Sequence, residues 1–232
     1  VVMKVHAQWL RLFREGFPSL LPTAVALVLL LSTSADVFAY EQGYIYGYNV
    51  FTAITNPSPA ADDRFGNIGE VIGNSPRRYF VGSTNDDTGA TDAGCVYSYE
   101  YWSGARQNVV TNPAPAANDH FGAALAAFGG SMSVGSILGA GAPDDDAGAA
   151  NAGTIYFYEM TNGLLKLAVT NPTPASGDRF GAALAGAGGY LVVGAPTDDA
   201  GASAAGCAYV YGTNGVVVPT LTNPAPAAND QF

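Results

Sequence analysis

The chain is poor in the residues that carry chemistry. It has two histidines, two cysteines and 9 Lys plus Arg in 232 residues, and charged residues make up only 12% of it. His6 lies near the N-terminus, and His120 stands where the repeats described below have Arg64, Arg179 and Gln231. No nucleophile–base pair, metal-ligand spacing or phosphate loop accompanies either histidine, so an enzyme is the least supported class. Lys and Arg are outnumbered by 19 Asp plus Glu, a net charge of −10. Such a surface repels phosphate backbones and argues against nucleic acid as a partner. Cys95 and Cys207 occupy the same slot in non-adjacent repeats. A disulfide is open to a secreted protein, but that placement sets them too far apart for the Cα limit of about 7 Å. Two small buried side chains are the simpler expectation.

What is plentiful is Gly (29), Pro (14) and Tyr (13), a loop-dense β composition with ample length for a core. Residues 1–39 read as a signal peptide or membrane-targeting segment. Lys4, Arg11 and Arg14 form a basic start, Thr23 to Leu31 is a short apolar run, and Val37-Phe38-Ala39 offers small residues for cleavage. That run is short of the roughly 20 residues a membrane-spanning helix needs. The expectation is secretion, to the extracellular space or the cell surface.

The remaining chain, 40–232, is repetitive. Thr-Asn-Pro-x-Pro-Ala followed by Asp-x-Phe starts at Thr55, Thr111, Thr170 and Thr222, at intervals of 56, 59 and 52 residues. Such a period means one supersecondary module per repeat, each covering the apolar face of its neighbour. Units at 55–110, 111–169 and 170–221 follow a half-unit at 43–54, and 222–232 begins a further one. From Gly82, Gly141 or Gly194 it is always 12 residues to Gly94, Gly153 or Gly206, whereas the stretch from Phe65, Phe121 or Phe180 runs 17, 20 or 14. The invariant loop carries contacts, and the variable one is free.

Each unit holds four strand candidates. The first is a small-residue run (Ala123–Ala126, Ala182–Ala185), suited to a crowded place where sheets converge. The second (Tyr79–Val81, Tyr190–Val193) ends in the third unit where Pro196 stops the ladder, and Pro143 stands at the same place in the second unit. The third alternates with period two (Val96–Tyr99, Ile155–Tyr158, Ala208–Tyr211), and turn residues such as Asn162-Gly163 and Asn214-Gly215 lead into the fourth. Four strands in about 56 residues make a propeller-like blade.

Phe65-Gly66, Phe121-Gly122 and Phe180-Gly181, with Gly141-Ala142-Pro143 and Gly194-Ala195-Pro196, resemble the FG-GAP repeats of integrin-type β-propellers; the first unit has Gly82-Ser83-Thr84 instead. The resemblance implies an all-β chain of tandem four-stranded blades, three complete plus a half-blade, in an extracellular adhesive or scaffolding setting. It names no ligand. The calcium loop that such repeats often carry between their two halves is missing, because 122–140 and 181–193 contain no Asp or Glu.

Acid clusters elsewhere, at Asp86, Asp87, Asp144, Asp145, Asp146, Asp198 and Asp199, with a further Asp two residues before each Phe. In a four-stranded meander both sets share one rim. Two readings stand: Asx-turns closed by the carboxylates, or weak binding of a hard cation such as calcium. No other cofactor is implied.

The opening segment Gly43–Tyr48 matches a third strand, and Val50–Ile54 a fourth. Three blades and a half do not close a propeller of four to eight. Either the chain is part of a longer repeat protein or another subunit completes the half-blade; the leading expectation is a secreted structural protein whose blades assemble head to tail into an extracellular fibre or surface layer, with itself as partner, through Tyr44, Tyr46, Tyr48 and Phe232. The alternative is an adhesive module recognising protein or glycan through its variable loops. Phe121 and Phe180 should be buried between sheets, and the Thr-Asn-Pro-x-Pro-Ala segments should be extended, exposed connectors.

Overall fold

The computed structural model describes residues 36–40, 51–72, 78–100, 103–129 and 136–232. Among these there are fourteen strands and no helix. β1 (Asp36–Tyr40) and β2 (Phe51–Thr55) form a two-stranded sheet. Three four-stranded antiparallel meanders follow. The first blade is β3 (Phe65–Ile72), β4 (Arg78–Ser83), β5 (Cys95–Glu100) and β6 (Arg106–Thr111). The second is β7 (Ala124–Gly129), β8 (Ser136–Ala142), β9 (Thr154–Glu159) and β10 (Leu165–Thr170). The third is β11 (Ala183–Ala187), β12 (Tyr190–Ala195), β13 (Cys207–Gly212) and β14 (Val217–Thr222).

The strands follow the turn chemistry. β8 and β12 stop at Ala142 and Ala195, immediately before Pro143 and Pro196. β7 and β11 begin one residue later than the small-residue runs, because the amides of Ala123 and Ala182 first close turns onto the carbonyls of His120 and Arg179. The β9–β10 hairpin turns at Gly163, whose φ of 73° suits glycine, and the Leu164 amide donates to Asn162 Oδ1 at 2.9 Å. A register shift recurs in the ladder between third and fourth strands of every blade, adding local twist.

The inner strands β3, β7 and β11 lie side by side in chain order, so each sheet presents a rear face to the sheet before it and a forward face to the one after. The core is divided into these interfaces. Ile54 packs on Phe65, Val81, Tyr97 and Tyr99 of the first blade. Phe80, Val96 and Val110 of the first blade meet Phe121, Leu138, Tyr156 and Tyr158 of the second. Ile155 and Phe157 of the second meet Phe180, Leu191, Tyr209 and Tyr211 of the third. Burying each of these large side chains contributes on the order of 2 kcal/mol.

One difference from the sequence reading concerns the opening sheet. Asp36 pairs with Thr55 as Cys95 pairs with Thr111, so β1 fills the third-strand slot. The sequence pattern puts Gly43–Tyr48 in that slot. Val37–Tyr40 and Tyr44–Tyr48 both alternate, and alternation alone does not choose a register. Tyr44, Tyr46 and Tyr48 lie outside the described residues, as do residues 1–35 of the targeting segment. Among the described residues no helix is long and apolar enough to cross a membrane.

Candidate functional site

The repeated Phe-Gly corner joins blades. Phe121 and Phe180 are fully buried and Phe65 nearly so. Each ring packs on the two tyrosines of its own third strand: Phe121 lies 5.7 Å from Tyr156 and 6.0 Å from Tyr158, and Phe180 lies 5.5 Å from Tyr209 and 5.9 Å from Tyr211. These edge-to-face pairs are favoured by ring quadrupoles. The backbone of the corner reaches backwards instead. The amides of Phe121 and Phe180 donate to the carbonyls of Ala93 and Ala152 in the preceding blade, both at 2.9 Å. A Cβ on Gly82 would stand 2.4 Å from the Gly122 carbonyl oxygen, and one on Gly141 2.1 Å from that of Gly181. Phe-Gly of one unit and the Gly of Gly-Ala-Pro in the unit before it are thus two halves of a single contact.

The Thr-Asn-Pro-x-Pro-Ala segments are not simple extended connectors. Their prolines are exposed, but Asn56, Asn112 and Asn171 are buried. Asn112 Nδ2 donates to Asp119 Oδ2 at 2.7 Å, the Ala116 amide donates to the same oxygen at 2.7 Å, and the Ala114 amide donates to Asn112 Oδ1 at 3.0 Å. The same latch forms at Asn56–Asp63, Asn171–Asp178 and Asn223–Asp230. Prolines fix φ, and the Asn and Asp seven residues apart bend the segment into a closed loop. That spacing recurs in all four copies and was the signal to read. Burial pushes the Asp119 and Asp178 carboxyls above their ordinary range, against the backbone amides of Ala116 and Ala175, and neighbouring acids of the rim add to the rise.

The acidic loops lie on the same rim, as the meander geometry required. Asp86, Asp145 and Asp198 are buried, and each accepts a hydrogen bond from the third-strand tyrosine of its blade: Tyr97 and Tyr156 at 2.8 Å, Tyr209 at 2.9 Å. Their second oxygens accept the amides of Thr88, Ala147 and Ala200. Asp87, Asp146 and Asp199 accept the amides of Asp92, Asn151 and Ala204. These are Asx-type loop closures, the first of the two readings. Burial would raise the Asp86 carboxyl, but donors from Thr88 and Tyr97 outweigh it and hold it below its ordinary value. Among the described residues no three His, Cys, Asp or Glu are grouped to hold a metal.

Asp144 breaks the pattern. It accepts Arg179 Nε at 3.0 Å and Nη2 at 3.3 Å, and pairs with His120 Nδ1 at 2.8 Å. His120 is therefore engaged rather than free, and the Asp144–Arg179 pair bridges the second and third blades. A cavity of about 450 Å3 opens nearby on the third blade, lined by Pro172, Thr173, Asp198, Asp199, Tyr209 and Thr220. Cys95 and Cys207 are buried free thiols in different interfaces, and burial pushes Cys207 up to about 12.

Phe232 differs from the other three corner rings. Its amide donates to the Ala205 carbonyl at 2.9 Å, like those of Phe121 and Phe180, but the residue is 50% exposed.

No curated protein matches the chain. A solved structure described as the Dos1 propeller is similar at a TM-score of 0.47 and 10% identity, over 82% of this chain and 43% of that one. The chain thus spans less than half the length of that propeller. At the level of sequence families, residues 169–211 match the FG-GAP repeat, and the corner, latch and strand order of that third unit recur in the two before it.

Proposed function

We propose that the chain is a secreted, non-enzymatic structural protein whose FG-GAP-like blades associate head to tail into an extracellular fibre or surface layer. The observation that carries this reading is directionality. Among the described residues every sheet contact joins a forward face to a rear face, and no two equivalent faces meet. Contacts of that kind, when the rotation does not close, produce filaments. The net negative charge and the structural use of nearly every rim carboxylate fit a scaffold better than a reaction centre. Light scattering and electron microscopy of the purified chain test it: filaments or large oligomers are expected, and a monomer at high concentration would overturn it.

A second reading rests on the cavity beside Tyr209. Thr173 Oγ1 lies 3.2 Å from the Tyr209 hydroxyl, which also donates to Asp198. Hydroxyls and a carboxylate around an aromatic ring suit a hydroxyl-rich ligand such as a glycan, making the chain an adhesive module. Glycan-array binding by wild type that disappears in Tyr209→Phe would favour this reading.

A further inference from the structure

The hairpins that join third to fourth strands carry Ser103, Asn162 and Asn214 at one equivalent position, each followed by a glycine of positive φ, Gly104, Gly163 or Gly215. Each side chain folds forward onto the chain after it: Ser103 Oγ accepts the Ala105 amide at 3.2 Å, Asn162 Oδ1 the Leu164 amide at 2.9 Å, and Asn214 Oδ1 the Val216 amide at 3.1 Å. Two of the three turns therefore bend a carboxamide over the peptide nitrogen of a glycine, the nitrogen least screened by a side chain. Asparagine is the thermolabile partner in such a pair.

The two turns hold that carboxamide differently. Asn162 Nδ2 donates to Glu159 Oε2 at 2.7 Å, as Ser103 Oγ donates to Glu100 Oε2 in the first blade. The third blade has Gly212 where the others have Glu100 and Glu159, and among the described residues nothing accepts from Asn214 Nδ2. Asn214 is exposed. The nitrogen that follows it is also held less closely: the Gly215 amide donates to the Gly212 carbonyl at 3.0 Å, against 2.8 Å from Gly163 to Glu159.

We propose that Asn214 is a self-modifying site, where the folded chain converts its own asparagine to aspartate and isoaspartate. The Gly215 nitrogen attacks Asn214 Cγ: a C–N bond forms, the Gly215 amide proton passes to solvent, and the side-chain nitrogen takes up a proton and leaves as ammonia. Water, the co-reactant, opens the resulting succinimide. Breaking the new Cγ–N bond yields aspartate, and breaking the original peptide bond yields isoaspartate, whose main chain runs through Cγ with an extra methylene. The Val216 amide already points at Oδ1, the oxygen on which negative charge develops, which is the placement that stabilises an oxyanion. At Asn162 the Glu159 carboxylate opposes that charge and holds the leaving nitrogen in a charge-assisted bond. The modification has a structural consequence because Gly215 leans on the second blade: a Cβ on it would strike Leu167 Cδ2 and lie 3.5 Å from Val169 Cγ2, whereas one on Gly163 would stand 3.7 Å from Val110 Cγ2. A lengthened main chain has no room there, so isoaspartate pushes the turn off β10 and opens the outer edge of the interface between second and third blades.

The test uses the full chain, held in mildly alkaline buffer, sampled over days, digested and mapped by mass spectrometry, with isoaspartate read by enzymatic methylation. Replacement of ammonia by water is expected about ten-fold faster at Asn214 than at Asn162, the effect of one charge-assisted hydrogen bond. Glu159→Ala should bring Asn162 up towards the rate of Asn214, and Asn214→Ser, which copies Ser103, should leave the third turn unmodified with thermal unfolding little changed. In converted chain, separated by its added negative charge, amide exchange at Leu167 and Val169 should be faster than in fresh chain. Equal rates at the two asparagines in wild type would overturn the proposal, as would an Asn214 that stays intact in the folded chain while both sites convert in urea. Unchanged exchange at Leu167 and Val169 would overturn the effect on the interface.

Discussion

Gly141 and Gly194 hold the same position in successive sheets, yet a methyl group has different consequences at the two. At Gly141 it would be driven into the Gly181 carbonyl, and at Gly194 it would meet only the side chain of Ala183. Gly141→Ala is expected to cost about 1–3 kcal/mol, the range for overpacking, and Gly194→Ala less than about 0.5 kcal/mol in the isolated chain. Urea unfolding of the two variants checks the contrast. The corner rings divide in the same way. Phe121→Ala empties a fully buried site and should cost about 3–5 kcal/mol, while Phe232→Ala, at a half-exposed ring, should leave the unfolding midpoint almost unmoved.

The Asn–Asp latch is the element that turns a proline-rich connector into a fixed corner. Asn112→Ala removes a donor to the buried Asp119 carboxylate and opens the turn at Ala114, which should destabilise by about 1–3 kcal/mol. The carboxylates of the loops titrate with opposite effects. Asp119 is raised in the fold, so its contribution is greatest below its ordinary value of 3.8 and is lost as pH rises through the raised value. Asp86 is lowered, so its contribution is present above 3.8 and is lost as pH falls through the lower value. Wild type should therefore gain stability relative to Asp119→Asn between about pH 7 and pH 4, and its advantage over Asp86→Asn should shrink below about pH 4. Thermal melts across that range read both, and parallel curves for the two variants would contradict the assignment.

At the scale of the whole molecule, three sheets in file carry a net charge of −10, so copies that stack must overcome mutual repulsion. Salt screens that repulsion within about 10 Å at 0.1 M. Assembly is expected to increase as salt rises from about 0.02 to 0.5 M, reversing the usual loss of ion-pair-driven association. Light scattering against ionic strength measures this, and dissociation by salt would show that charge pairs between copies hold them together instead.

The repeat period, the four strands per unit, the Phe-Gly and Gly-Ala-Pro landmarks and the shared acidic rim were determined by sequence alone, because turn residues and alternation act locally and each unit confirms the others. The Asn–Asp latch was equally present in the sequence, since its partners are seven residues apart in every copy. Three things required the tertiary structure. Which strand pairs with β2 depended on register, for which Val37–Tyr40 and Tyr44–Tyr48 are equal candidates in pattern. That Asp144 joins Arg179, 35 residues away, depended on how two blades are set against each other. What seals Phe157 depended on stacking: its strand alternates like the others, and only the setting of the third sheet against the second brings Leu191 and Phe180 into the cluster that buries it.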